Sequence, residues 1–142
     1  MRRHMPHDNL RLTLAASLFF IGCGGNDSLQ GSVTAERKNP DGRSAVIATE
    51  YNGGATTSFA ERVYLKDNRT QNVYEMLLAD KTTGLKVSWE SPTVVLIDMQ
   101  CGHIYKFRNY FELSDEHGNY LKTIELKLKS EGLCLAKLGY QQ

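Results

Sequence analysis

Asp98, Cys101 and His103 come closest in this chain to a set of residues that could do chemistry. Cys101 and His103 stand two apart, so on a strand they share a face. A cysteine nucleophile needs an imidazole within hydrogen-bond reach and donors that hold the developing oxyanion. Same-face neighbours can meet the first need, and no motif marks the second. A metal centre needs three or four ligands, yet only His103 and His117 remain as imidazoles beyond residue 22. A bridged or core cysteine beside a half-buried histidine outweighs catalysis. No catalytic residue, metal or cofactor is assigned, and the chain is read as a non-enzyme.

Two loops carry weaker signals. The run from Gly53 to Ser58, Gly-Gly-Ala-Thr-Thr-Ser, offers backbone N–H groups to a small anion but lacks the lysine of a phosphate loop. Asp115-Glu116-His117-Gly118-Asn119 has oxygen ligands without the spacing of a calcium loop. A hairpin connection and a solvated turn account for them. Lys106, Arg108 and Tyr110 are read as the polar face of the strand that carries Cys101. An exposed tyrosine among cations there is a candidate partner contact.

The N-terminus says where such a contact would operate. Arg2, Arg3 and Arg11 form a basic leader, and Leu12–Ile21 is a ten-residue apolar run broken only by Thr13 and Ser17. Crossing a hydrocarbon core takes about 20 residues, so the run fits the apolar part of an export signal. Phe20-Ile21-Gly22-Cys23 resembles the lipobox of bacterial lipoproteins, with Phe20 where that family usually has Leu. The resemblance implies cleavage before Cys23 and acylation (palmitate or similar chains) of that residue. It also implies a membrane-held protein of the cell envelope. Gly24 after the cysteine implies the outer membrane, facing the periplasm, where the organism has one.

Removing residues 1–22 takes away three arginines and one aspartate, so the formal charge moves from +1 to −1 over 120 remaining residues. That is enough chain for one domain. No basic stripe marks a nucleic-acid partner. With Cys23 acylated, Cys101 and Cys134 are left as an even pair, a possible disulfide in an oxidising compartment.

The elements that must position these residues read as strands. Residues 23–40 lack apolar periodicity and are expected to be a flexible tether, with the globular domain over 41–142. Asn39-Pro40-Asp41-Gly42 is a turn signal. Ser44–Tyr51 and Phe59–Leu65 then read as a hairpin. Asn72–Ala79 fits both periods and is read as a strand because its neighbours are strands. Leu85, Val87 and Trp89 alternate with polar residues, and Thr93–Met99 reads as a strand covered on both faces. Cys101, His103, Tyr105 and Phe107 are expected on one face of the next strand. Tyr120–Leu128 turns Ile124, Leu126 and Leu128 inward, and Leu133–Leu138 adds a short strand or turn. The expected fold is an all-β, small antiparallel sandwich or barrel of six to seven strands.

Residues 39–97 resemble small bacterial β-rich proteins of unassigned function. The likeness rests on Pro40-Asp41-Gly42, Gly53-Gly54-Ala55-Thr56-Thr57-Ser58-Phe59 and Val63, with Asn39 where that pattern has Ser. Val87-Ser88-Trp89-Glu90-Ser91 through Leu96-Ile97 also resembles a blade edge of TolB-like propellers, although one such unit is too short for a propeller. Both imply a β fold and supply no activity. The reading that follows is a membrane-anchored, non-enzymatic module that binds a protein or glycan of the envelope. The alternative is an exported inhibitor of an envelope-directed enzyme. It would resemble lysozyme inhibitors as a small cysteine-containing lipid-anchored β domain, without their Ser-Gly-x-x-Tyr-type loop. A Cys/His hydrolase ranks last.

Overall fold

Asn39-Pro40-Asp41-Gly42 folds as its composition dictates. Gly42 takes φ 74° and donates its N–H to the Asn39 carbonyl at 2.9 Å, closing the first hairpin. The buried Asn39 amide does more, donating to the Pro92 carbonyl at 2.8 Å and to Ser44 Oγ at 3.2 Å. One side chain thereby ties this turn to a second one across the molecule. The computed structural model describes residues 27–54 and 59–131. The apolar run Leu12–Ile21, Cys23, residues 55–58, Cys134 and Leu133–Leu138 lie outside the described residues.

The described residues hold nine strands. β1 (Ser32–Lys38), β2 (Ser44–Asn52), β3 (Phe59–Asp67), β4 (Val73–Thr83) and β7 (Cys101–Phe107) form one sheet in that spatial order. β5 (Lys86–Ser91), β6 (Val94–Met99), β9 (Tyr120–Ser130) and β8 (Tyr110–Ser114) form the other. Neither sheet closes on itself, and the two stack as an open sandwich. The expected hairpin is present, with Ser44 opposite Asp67 and Asn52 opposite Phe59.

The expected all-β sandwich is present, and four details differ. Nine strands stand where six or seven were expected. β6 and β9 run parallel, so the architecture is mixed rather than purely antiparallel. The supposed tether contains β1, bonded to β2 from Ser32–Glu50 to Lys38–Ala45. β1 escaped detection because its side chains are nearly all exposed, so no apolar period betrays it. Backbone pairing holds it, helped by the indole N–H of Trp89, which donates to the Arg37 carbonyl at 2.8 Å. β6 also departs from the run expected to be covered on both faces. Val95, Ile97 and Met99 are buried, while Val94, Leu96 and Asp98 are half-buried.

The core lies between the sheets. Val46, Ala48, Val63, Leu65, Met76, Leu77 and Ala79 meet Val87, Val95, Ile97, Leu113, Ile124 and Leu126. Burying a side chain of this size contributes about 1.5–3 kcal/mol. Tyr74 and Phe111 close one side, with ring centroids 4.3 Å apart.

The other face of the five-stranded sheet is partly covered as well. Ile47, Tyr64 and Val73 form a second buried cluster there. Asp27–Gln30 crosses this face as a strap. Asp27 N–H donates to the Val73 carbonyl at 3.1 Å, Gln30 N–H to the Tyr64 phenol oxygen at 3.2 Å, and the Thr49 hydroxyl to the Gln30 carbonyl at 2.7 Å. Gly31 turns the strap into β1 at φ 88°, and a Cβ there would collide with the Glu50 carbonyl.

Candidate functional site

A β-bulge decides where the residues of β7 go. Irregular pairing between Leu78 and Ala79 sets Phe107 opposite core-facing Leu77, and Lys106 opposite Leu78. Phe107 therefore leaves the face it was expected to share with His103 and Tyr105, and Lys106 joins that face instead. His103 Nδ1 lies 3.6 Å from Asp80 Oδ1, and the Tyr105 hydroxyl donates to Asp80 Oδ2 at 3.0 Å. That hydrogen bond to Asp80, followed by desolvation and the carboxylate charge, holds the phenol above its usual range. Lys106 Nζ donates to Glu75 Oε1 at 3.1 Å, and the Arg62 guanidinium donates to Glu75 Oε2. The Glu75 backbone N–H donates to Asp27 Oδ2 at 2.7 Å, so this charge cluster also anchors the strap.

The proposed contact face is not one surface. Lys106 is committed to Glu75 on the five-stranded sheet, while Tyr110 pairs with Glu125 at the edge of the other. Arg108 lies in the connection between them, its backbone N–H bonded to the Met76 carbonyl at 2.8 Å. Tyr110 itself is 55% exposed. Asp98 sits on β6, 3.9 Å from Lys129 Nζ, in a different sheet from Cys101 and His103. The structure thus separates Asp98 from the other two residues of the supposed set. Among the described residues no group of three or more potential ligands could hold a metal.

The Asp115–Asn119 loop consumes its own carboxylate. Asp115 Oδ1 accepts the N–H groups of His117 and Asn119, both at 2.8 Å, and Oδ2 accepts the Asn119 amide at 3.0 Å. The Asn119 bonds hold Asp115 below the usual carboxylate range. This pre-set turn forms one wall of a cleft of about 380 Å³ at the end of the sandwich. The opposite wall comes from Arg43, Asp67 and Arg69, at the ends of β2 and β3. The Arg69 guanidinium spans the two walls, donating to the Ser114 carbonyl at 3.0 Å and lying 3.7 Å from Asp67. Buried Leu113 and half-exposed Leu121 supply apolar lining.

The cations around this cleft are not equivalent. Lys122 donates to the Asp41 carboxylate and to the Pro92 carbonyl at 3.0 Å. Burial alone would raise Asp41, but its bonds to Lys122 and to the Arg43 N–H outweigh that and leave its pKa lowered. Arg69 is held as described. The Arg43 guanidinium forms no hydrogen bond and no ion pair among the described residues, although its backbone N–H is bonded to Asp41 at 2.9 Å. It is an exposed, permanently charged fork at the rim, and its charge also helps to lower the Asp41 pKa.

Sequence reasoning reached the Asp115–Asn119 loop and the Pro40-Asp41-Gly42 turn but not their juxtaposition. Arg43, Arg69 and Lys122 are separated by 26 to 79 residues, and no local pattern links them. No protein-family model, curated protein sequence or solved structure matches the chain.

Proposed function

We propose that the chain is an exported lipoprotein, acylated at Cys23, whose sandwich is a non-enzymatic binding module of the cell envelope. The observation that carries the binding reading is the cleft. It combines apolar lining with the Arg43 guanidinium, which makes no hydrogen bond or ion pair among the described residues, and with ion-paired neighbours at the rim. Its volume lies at the lower end of small-ligand sites, about 300–1,000 Å³. Asp67, Asp115 and Glu116 also line the cleft, so an anion is admitted only at the Arg43 side: the ligand would be small, or the end of a glycan or peptide, with a phosphate or carboxylate on Arg43 and an apolar part against Leu121. A Cys101–Cys134 disulfide belongs to the same reading. The Glu131 N–H donates to the Gln100 carbonyl at 2.8 Å, which brings the chain beside Cys101 three residues before Cys134.

Thermal-shift titration of the protein with glycerol phosphate and with short acyl carboxylates tests the cleft. The parent should be stabilised by an anionic amphiphile. Arg43→Ala should lose most of that stabilisation while unfolding at nearly the same temperature without ligand. No stabilisation of the parent by either class, or equal stabilisation of the variant, would defeat the assignment.

A further inference from the structure

The strap fixes more than a buried face. Asp27 is bonded to Val73 and to the Glu75 N–H at the start of β4. Only three residues, Gly24, Gly25 and Asn26, lie between it and Cys23, a span of four Cα–Cα steps. A fully extended chain of that length spans about 15 Å. If Cys23 carries acyl chains, the end of the sandwich that begins with Val73 is therefore held close to the bilayer. The opposite end, at Phe59, lies a full β3 strand away, roughly 26 Å.

The end so held is the one that bears the cleft. Ser44 pairs with Asp67, the Asp67 N–H bonds the Asn72 carbonyl, and Asp27 bridges Val73 one residue further on. The β8–β9 hairpin tip lies at the same end and displays Tyr120 and Leu121, 63% and 42% exposed. The tip also carries Asp115, whose carboxylate the turn itself binds, and exposed Glu116; the interfacial contact therefore rests on Tyr120 and Leu121, with the Arg43 and Arg69 guanidinium groups nearby.

We propose that this end of the sandwich faces the membrane. Tyr120 and Leu121 enter the interfacial layer, and the cleft receives a phospholipid headgroup, its phosphate on Arg43. The proposal rests on Cys23 acylation and names the ligand class of the cleft. Close tethering supplies the high local headgroup concentration that a single uncommitted arginine requires.

The test uses the full lipidated chain, purified from membranes and reconstituted into phosphatidylethanolamine–phosphatidylglycerol vesicles containing brominated lipids. In a Trp89→Phe background, Tyr120→Trp and Phe59→Trp each report depth by quenching. The Tyr120→Trp indole should be quenched severalfold more than the Phe59→Trp indole at the opposite end. Adding Arg43→Ala to Tyr120→Trp should reduce the quenching. Free glycerol phosphate at millimolar concentration should do the same if the phosphate is the recognised part. Equal quenching at the two positions, or stronger quenching at Phe59→Trp, overturns the orientation. Full quenching at Tyr120→Trp that ignores both Arg43→Ala and glycerol phosphate overturns the headgroup assignment. Palmitate incorporation, measured on the same preparation, reports on the anchor separately. A labelled chain that fails the quenching test sinks this inference and leaves the lipoprotein reading standing.

Discussion

At the residue scale, Glu61 carries the clearest electrostatic consequence. It stands opposite Ala79 on the core-facing side of β3 and accepts the Thr82 hydroxyl. Burial raises its pKa, the Thr82 bond opposes that, and the charge of Glu50 adds to it. A carboxyl whose pKa is higher folded than unfolded favours the folded state in its protonated form. Its penalty is absent below the unfolded pKa and grows as pH rises towards and through the folded value. Glu61→Gln should therefore be more stable than the parent at pH 7, with the difference shrinking to nothing near pH 4. Urea midpoints across that range check the sign. A difference independent of pH would mean that the substitution acts through packing.

At the scale of elements, the strap and the bulge matter most. Gly31 and Gly42 both sit at positive φ, but only a Cβ at Gly31 meets backbone. Gly42→Ala should cost about 1 kcal/mol, the left-handed penalty alone. Gly31→Ala should cost about 2–4 kcal/mol, because strain and collision add. It should also speed exchange of the Gln30 amide, which bonds the Tyr64 phenol oxygen. Thermal melts with amide exchange distinguish the two variants, and equal costs would show that the strap does not hold. The bulge beside Leu78 explains why strict alternation misplaced Phe107. One extra residue in a ladder moves every later side chain to the other face.

At the scale of the whole molecule, the strap places the first described residue, Asp27, against β4, so the proposed acylation of Cys23 would act close to the folded domain. A tether through residue 40 would let the domain roam well clear of the lipid, whereas on the proposed anchor the three residues before Asp27 would leave it little freedom. Cells fed radiolabelled palmitate should label the parent and leave Cys23→Ala unlabelled. The variant should also keep its uncleaved mass. Label on Cys23→Ala, or a soluble unlabelled parent, would remove the anchor and with it the orientation argued above.

Local order in the amino-acid sequence was enough for much of this protein. Alternation in Phe59–Leu65 and Leu85–Trp89 and the Asn39–Gly42 turn specified strands and hairpins, because side-chain period and turn chemistry act over a few residues. Only tertiary structure decided that an almost wholly exposed segment is β1 and that β6 and β9 run side by side. It alone brought Arg43, Arg69 and the Asp115 turn around one cleft. Those outcomes depend on backbone pairing and on contacts between residues far apart in the chain, which leave no period to read.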